Sequence, residues 1–379
     1  MNPTVLILGG GLQAVSTARS LKHKGYRIGL LSSHKDYSCK SSALDFVRIH
    51  SDAFNIDTIL SVIMEERVKV VVPMSDKGAL VLSKDKQAIH DCDGCIAAVP
   101  DYDAVELASD KLKLMEVCRI NGFPHPQTIS DSGLSSYKTE DLPYPLLIKP
   151  NHSVGARGIV KVNSSDELKK RLPEIQAIYG DCHIQEYIEG NRPYYNVMIY
   201  RDRNGNIVNS AILEIIRFYP LNGGSSSLCK TIASPELIDL CSSVLEKINY
   251  FGFADFDILQ NARGEYKIIE INPRVPASLR GAAVSGVNFP AIIVGEALNI
   301  NESGGNYIPG KTLRYLGLDI MWFLSSSGRW AASPSWFRFI GKDIFYQEGG
   351  WKDWKPMLSA LWSNVDKIEF KNGKLRKKD

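Results

Sequence analysis

Two aspartates, a glutamate and an asparagine lie at alternate positions on two predicted strands. Asp255 and Asp257 are two residues apart in the first strand, and Glu270 and Asn272 are two apart at the end of the second. Because residues two apart on a strand point to the same face, each pair shares a face of the predicted hairpin. Mg²⁺ binds carboxylate and amide oxygens together with phosphate oxygens. The hairpin therefore predicts a site for a hard divalent cation, and Arg274, directly after it, can face an anion.

The alternative interpretation of this hairpin is a polar face in water. It would have to explain why the acids occur within otherwise apolar strands, which also contain Phe253, Phe256, Ile268 and Ile269. We therefore favour the metal site, in which Asp255 and Asp257 are rival ligands.

Lys149 follows three apolar residues and precedes the segment 151–158, which is rich in glycine and serine. A lysine at the end of a buried strand can meet phosphate oxygens, and glycines let backbone amides lie over them. Ser153, Gly155 and Gly158 are the loop candidates for that contact. The segment lacks the G-x-x-x-x-G-K-[ST] pattern, so a P-loop fold is excluded.

Two further motifs carry less information. Residues 9–14 (GGGLQA) have the G-x-G-x-x-A spacing of a dinucleotide site, but no acid follows the second predicted strand before Asp36. We therefore favour a structural strand-to-helix turn. Cys92 and Cys95 form a lone C-x-x-C without a second pair, and we interpret them as structural thiols.

Strands and helices alternate over about the first 100 residues, which predicts a doubly wound parallel sheet. A second unit begins near residue 109 and mixes helices with strands that end in the hairpin. The elements expected in the first unit are strands at 4–8, 27–32 and 68–73 and helices at 12–24 and 57–66. Those expected in the second are helices at 111–121, 165–178 and 235–248 and strands at 146–149, 159–162, 183–187, 194–200, 207–218, 253–259 and 266–271.

The composition is ordinary for a globular protein, with 44% apolar and 23% charged residues. At about 150 residues per domain, 379 residues predict two or three units. The small net charge of +3 is concentrated after residue 300, outside the main domains, so no nucleic-acid partner is expected. We also expect no integral membrane segment, and the odd number of cysteines, seven, favours a reducing cytoplasm.

Taken in order, these features resemble the ATP-grasp superfamily over about residues 1–300, in particular its carbamoyl phosphate synthetase large-subunit and D-alanine–D-alanine ligase families. The motifs are the Rossmann-like start, the helix opened by residues 109–111 (SDK), Lys149 with its loop, the hinge 184–190 (IQEYIEG) and the hairpin end 270–274 (EINPR). The expected fold class is therefore α/β and α+β.

The resemblance also implies the domain organisation. It implies a Rossmann-like pre-ATP-grasp domain at 1–105 and a two-lobed ATP-grasp domain at 106–300, whose small lobe covers about 125–185. All six tryptophans lie within the basic C-terminal region at 301–379, which is expected to be an appendage.

The resemblance further implies roles for individual residues. Lys111 and Lys149 would hold ATP phosphates, and Arg274 would steady the transferred phosphoryl group, so that Lys149 and Arg274 are the catalytic candidates. The adenine would meet the hinge residues Glu186, Tyr187 and Ile188. The implied magnesium ligands are Asp257, Glu270 and Asn272, with Asp255 as the rival ligand.

The activity implied is an ATP-dependent carboxylate–amine ligase that acts on a small carboxylic or amino acid through an acyl phosphate. ATP and Mg²⁺ are the expected cofactors, with Mn²⁺ as an alternative ion. Arg217 and Arg280 are candidate anchors for a substrate carboxylate. The expected partners are small-molecule acids and amines, and a homodimer is an open alternative. A phosphotransferase and a nucleotide-binding module without turnover are the competing functions.

Overall fold

The computed structural model describes residues 2–151, 158–189, 193–221, 224–349, 353–365, 368–371 and 374–377. The predicted residues Ser153 and Gly155 lie outside these ranges. Within the described part of the chain, no helix is both long enough and apolar enough to cross a membrane.

The N-terminal part is a five-stranded parallel sheet with the order β3-β2-β1-β4-β5. Its central strands are runs of buried aliphatic residues, as expected for a parallel sheet covered on both faces. The strands are β1 (Thr4–Leu8), β2 (Arg27–Ser32), β3 (Phe46–Ile49), β4 (Val68–Pro73) and β5 (Ile96–Ala97). The helices are α1 (Leu12–His23), α2 (Ile56–Glu66), α3 (Asp76–Lys84), α4 (Lys86–Asp91) and α5 (Tyr102–Ser109).

A four-stranded antiparallel sheet with the order β6-β9-β7-β8 forms a small lobe with a hydrophobic core of its own. The Asp110 side chain caps the helix that leads into it by accepting hydrogen bonds from the amides of Leu112 and Lys113. The elements are α6 (Lys111–Asn121), β6 (Thr128–Ser130), α7 (Asp131–Leu134), β7 (Leu146–Pro150), β8 (Val160–Val162), α8 (Ser165–Tyr179) and β9 (Cys182–Glu186).

A seven-stranded sheet with the order β14-β13-β10-β11-β12-β15-β16 forms the large lobe. The last two strands come from beyond residue 300, so the C-terminal region is built into this sheet. The strands are β10 (Tyr194–Arg201), β11 (Ile207–Tyr219), β12 (Ser225–Ile232), β13 (Gly252–Gln260), β14 (Tyr266–Asn272), β15 (Thr312–Arg314) and β16 (Ile344–Tyr346). The helices are α9 (Pro235–Lys247), α10 (Leu279–Val284), α11 (Phe289–Ala297), α12 (Leu316–Ser325) and α13 (Lys355–Val365). A separate antiparallel pair follows, β17 (Ile368–Lys371) and β18 (Lys374–Lys377).

The N-terminal sheet and the large sheet share one hydrophobic core. Val5 and Ile7 of β1 belong to the same buried cluster as Met198 of β10 and Phe253 of β13. The opposite face of the large sheet packs on α6 and α9 in a second cluster. The polar face of the hairpin is therefore held between the N-terminal sheet and the small lobe, and the expected α/β and α+β fold class is confirmed.

Candidate active site

The hairpin of β13 and β14 brings the predicted acids into register. Asp257 pairs with Glu270, and Asp255 pairs with Asn272, so the four side chains lie on adjacent positions of two neighbouring strands. Asp255 is only 1% exposed, and Asp257 and Asn272 are also buried. The strand alternation that predicted a shared face thus brings four oxygen-bearing side chains together, of which Glu270 is half-buried and the other three are buried.

Burial and mutual repulsion govern the charge of these acids. Burial raises the pKa of both Asp255 and Asp257, and the negative charge of Glu270 raises each further. Burial acts in the same direction on Glu270, but Lys111 and Lys149 outweigh it and lower its pKa. The hydrogen bond between Asp257 and Glu270 acts in opposite directions on the two acids, since it raises the pKa of Asp257 and lowers that of Glu270.

Two lysines from separate elements approach this acidic face. The ammonium of Lys111, at the start of α6, lies 3.3 Å from Glu270 Oε2. Lys149 on β7 is 7% exposed and donates to Gln185 Oε1 at 2.5 Å. Burial lowers the pKa of Lys149 to about 8, and the nearby charge of Lys111 adds to this effect. Both predicted phosphate-binding lysines thus lie beside the predicted metal ligands.

Arg274 connects the hairpin to the N-terminal sheet. Its Nε lies 3.1 Å from Asp76 Oδ1 at the start of α3, and its Nη2 donates to Asn272 Oδ1 at 3.1 Å. Burial opposes its charge, but Asp76 and the hairpin acids raise its pKa. The guanidinium is therefore fixed at the edge of the acidic group.

The hinge residues lie at the end of β9 and just beyond it. Glu186 Oε2 accepts a hydrogen bond from the amide of Gln127 at 3.0 Å, and Ile188 is 9% exposed. The Lys161 ammonium lies 3.8 Å from the centroid of the Tyr187 ring. These residues border the small lobe as predicted, and their contact with adenine stays a prediction.

Gly158 closes the glycine- and serine-rich segment with a φ of +74°. A Cβ at this position would lie 2.8 Å from Pro150 Cγ and 2.8 Å from the Tyr179 ring. Both the backbone conformation and the close approach to β7 therefore require glycine here.

The two candidate substrate anchors lie in different surroundings. Arg217 is 3% exposed and forms an ion pair with Asp319 at 3.2 Å, with its guanidinium 4.4 Å from the centroid of the Trp322 ring. Arg280 on α10 has a buried Nε without a hydrogen-bond partner, and burial lowers its pKa to about 10. Arg217 thus holds the C-terminal segment, and the substrate role of both arginines stays a prediction.

The turn at residues 9–14 already holds an anion of the chain itself. The amide of Gly11, which precedes α1, donates to Asp36 Oδ2 at 3.0 Å. A Cβ at Gly10 would lie 2.3 Å from the same oxygen. Because a carboxylate occupies the helix N-terminus, the structural interpretation of this turn is favoured.

Cys92 and Cys95 have the properties of structural thiols. Burial raises the pKa of both, to about 12 for Cys95, so they carry their protons at neutral pH. In the described ranges no group of three or more His, Cys, Asp or Glu side chains could hold a metal ion by itself, and this includes Cys92 and Cys95. A cation at the hairpin would therefore need further oxygen ligands, such as an amide oxygen and phosphate oxygens.

Several residues of the site were not singled out from the sequence. The Asn196 amide donates to Asp257 Oδ1, the Tyr194 hydroxyl also hydrogen-bonds Asp257, and Gln185 holds Lys149. Asn196 could have been found, because it interrupts an apolar strand at a position that faces Asp257. Asp76 gives no local signal, since it reaches Arg274 only once the two sheets have packed together.

The hairpin residues fit a divalent cation. Burial and the charge of Glu270 raise the pKa of Asp255 and of Asp257, and Asp255 Oδ1 is buried without a hydrogen-bond partner. A cation would offset the repulsion between these acids and satisfy that oxygen, since Mg²⁺ needs only one or two carboxylates and an amide oxygen is an acceptable additional ligand. Which oxygens bind it stays a prediction.

Part of this chain is similar to known proteins. Residues 108–278 match the family model described as an ATP-grasp domain. Two curated relatives are the C-terminal section of the carbamoyl phosphate synthase large chain of Methanopyrus kandleri and D-alanine–D-alanine ligase B of Pseudomonas putida. The first is 20% identical over 72% of this chain and 54% of its own length, and the second is 24% identical over 55% and 69%. This chain therefore spans only part of either relative.

Among solved structures, the ADP complex of an N5-carboxyaminoimidazole ribonucleotide synthetase is similar in fold. It is 16% identical, with a TM-score of 0.66, over 87% of each chain. The expected resemblance to the ATP-grasp superfamily is thereby confirmed.

Proposed function

We propose that the protein is an ATP-dependent ligase that joins a small carboxylic or amino acid to an amine, since residues 108–278 match the family model described as an ATP-grasp domain. The names of its relatives support a ligase, since they include D-alanine–D-alanine ligase and carbamoyl phosphate synthase. ATP and Mg²⁺ are the proposed cofactors, with Mn²⁺ as the alternative ion.

One observation carries the proposal. The ammonium groups of Lys111 and Lys149, from separate elements, approach the half-buried carboxylate of Glu270, which pairs with the buried Asp257 on the neighbouring strand. A nucleoside triphosphate needs basic groups that bind its phosphates. It also needs nearby acids that bind its divalent cation. Arg274, fixed by Asp76, adds a third cation to the same place.

The proposed chemistry needs no side-chain nucleophile. A carboxylate oxygen of the acid attacks the γ-phosphorus, the bond to the β-phosphate oxygen breaks, and ADP leaves. The amine nitrogen then attacks the acyl carbon, phosphate leaves, and the nitrogen loses a proton. Lys149, Lys111 and Arg274 position the phosphates and offset their negative charge. When bound, the divalent ion supplies further charge neutralisation on the phosphates.

The proposed location is the cytoplasm. All seven cysteines, which lie within the described ranges, are free thiols, and this supports a reducing compartment.

ADP release under different substrate sets tests the proposal. Mg-ATP should yield ADP and free phosphate only when both an acid and an amine are supplied, in a screen over amino acids and simple carboxylic acids. Release of ADP with an alcohol alone would instead identify a phosphotransferase. Tight ATP binding without ADP under any set would identify a nucleotide-binding module.

A further inference from the structure

A cavity of about 250 Å³ lies where the N-terminal sheet meets one end of the large sheet. Its walls come from the segment after β5, the turn between β10 and β11, the start of β13, the residues 273–275 and α11. None of Lys111, Lys149, Asp257 and Glu270 lines it. The cavity is therefore separate from the candidate ATP site, apart from the shared residue Arg274.

Arg201 places a buried positive charge in the wall of this cavity. It is 8% exposed, and its Nη1 donates to the carbonyl oxygen of Tyr250 at 3.2 Å. Its Nε is buried without a hydrogen-bond partner, and no carboxylate of the described residues forms a salt bridge with it. The guanidinium carbon Cζ of Arg201 lies over the Phe251 ring, 4.9 Å from the ring centroid. A buried cation without an anion is costly, so the position calls for an anionic partner.

The local backbone is shaped around this guanidinium. The pairing of β10 with β11 shifts register between Tyr200 and Arg201, as at a β-bulge, which redirects the side chains that follow. Gly205 has a φ of +87°, and a Cβ there would lie 2.9 Å from Arg201 Nη2. Glycine at this position thus serves both the turn and the space that the guanidinium needs.

The other charged residues of the wall limit what the anion can be. Asp202 is already engaged, because its carboxylate accepts hydrogen bonds from the amide nitrogen of Asn206 at 2.7 Å and from its Nδ2 at 3.2 Å. Glu296 on α11 and Arg203 are exposed and lie near the Tyr200 hydroxyl, whose pKa is raised by burial, raised further by Glu296 and lowered by Arg203. Arg274, which also lines the cavity, is already paired with Asp76 at 3.1 Å. Glu296 would repel a ligand with several negative charges, so a single carboxylate on Arg201 fits the wall better.

One part of the wall is apolar and suits a hydrocarbon body. Val99 and Pro100 come from the segment after β5, and Ile293 comes from α11. We propose that this cavity binds a small monocarboxylate, with its carboxylate on Arg201 and its apolar body against Val99, Pro100 and Ile293. The site does not depend on the proposed ligase chemistry.

Calorimetry with defined probes tests this site on the full chain. Isobutyrate and benzoate are the monocarboxylate probes, and succinate and inorganic phosphate are the multiply charged ones. Benzoate or isobutyrate should bind the wild-type protein, and Arg201→Gln should weaken binding about tenfold or more, because a charge-assisted hydrogen bond is lost. Arg263→Gln, in the exposed turn at the opposite end of β13, is the matched control and should bind normally.

A second variant keeps the test independent of the stability of Arg201→Gln. Ala297→Leu fills the cavity from α11 while leaving Arg201 in place, and it should also weaken benzoate binding. Mg-ATP affinity should be unchanged in Ala297→Leu, which separates this site from the ATP site. No binding of either monocarboxylate to the wild type, or equal affinity in wild type and both variants, would overturn the proposal. Preferential binding of phosphate or succinate would overturn the assigned ligand class.

Discussion

At Glu270, two lysines and a buried aspartate act on one carboxylate. Burial raises its pKa, but Lys111, the hydrogen bond with Asp257 and Lys149 outweigh this effect and lower it. Glu270 is therefore the acid best prepared to meet a divalent cation, and the amide of Asn272 lies on the same strand two residues further on.

Glu270→Gln should lower turnover about 10²-fold while leaving the fold intact, because the ion that it helps to hold is the largest local charge in the site. Asn272→Ala should act in the same direction. Steady-state kinetics measure the effect, and thermal unfolding checks the fold. Glu246→Gln, an exposed change on α9, is the matched control and should turn over normally. Turnover close to that of the wild type in a folded Glu270→Gln variant would contradict the metal assignment.

Lys149 should make ATP affinity depend on pH in a defined direction. Burial lowers its pKa to about 8, so the free protein carries the ammonium below that pH and loses it above. The affinity for Mg-ATP should therefore fall as the pH rises from 7 to 9. Lys149→Ala should bind more weakly at pH 7 and lose this pH dependence, because a point charge on the phosphates is removed.

Calorimetry in saturating Mg²⁺ measures the ATP affinity of the wild type and of Lys149→Ala at several pH values. Lys170→Ala, an exposed change on α8, should keep both the affinity and the pH profile of the wild type. An unchanged affinity in Lys149→Ala would remove this residue from the site.

Site residues that share one hairpin could be predicted from the sequence. Site residues that come into contact only when distant segments of the chain pack together could not. The alternation of Asp255, Asp257, Glu270 and Asn272 fixes a shared face before any tertiary contact forms, and the structure has that face. Asp76 is distant in sequence from Arg274, which it contacts, and nothing local marks it.

At the scale of elements, α12 is attached to the large sheet by a buried ion-pair triad. Asp319, which is not exposed at all, lies 3.2 Å from Arg217 on β11 and 3.1 Å from Arg314 on β15. Trp336 packs on the same group, since its Nε1 donates to the Asp319 carbonyl oxygen at 3.0 Å. Burial raises the pKa of Asp319, and the two arginines oppose that effect.

Asp319→Asn should reduce the free energy of unfolding by about 3–5 kcal/mol, because it leaves two buried guanidinium groups without an anion. Urea denaturation measures this loss. Asp343→Asn is the matched control: it breaks the exposed pair with Arg338 and should cost below about 1 kcal/mol. Equal losses in the two variants would show that the triad does not anchor α12.

The strands β15 and β16 are elements that could not be predicted from the sequence. The long strands β10, β11, β13 and β14 were expected from their apolar patterns. Thr312–Arg314 and Ile344–Tyr346 are three residues each, too short to show a period. The first becomes a strand by pairing with the edge of β12, and the second by pairing with the first. Two short segments of the C-terminal region that was expected to be an appendage, β15 and β16, extend the large sheet.

At the scale of the whole molecule, the candidate site forms where three parts meet. The N-terminal sheet supplies Asp76, the small lobe supplies Lys149, and the large lobe supplies the hairpin and Arg274. A shared core holds the first and third together, whereas the small lobe has a core of its own. The order of these parts along the chain could be predicted from motifs, but their contacts depend on packing over long sequence distances.

Trapping the activated acid with hydroxylamine tests the ligase mechanism most directly. Hydroxylamine is small and uncharged at neutral pH, so it can replace the amine and attack an acyl phosphate. With the correct acid and Mg-ATP, we expect a hydroxamate in amounts equal to the ADP and phosphate released. The product should be absent without ATP and strongly reduced in Glu270→Gln. A stable phosphoester that retains the phosphate, with no hydroxamate, would contradict the ligase mechanism.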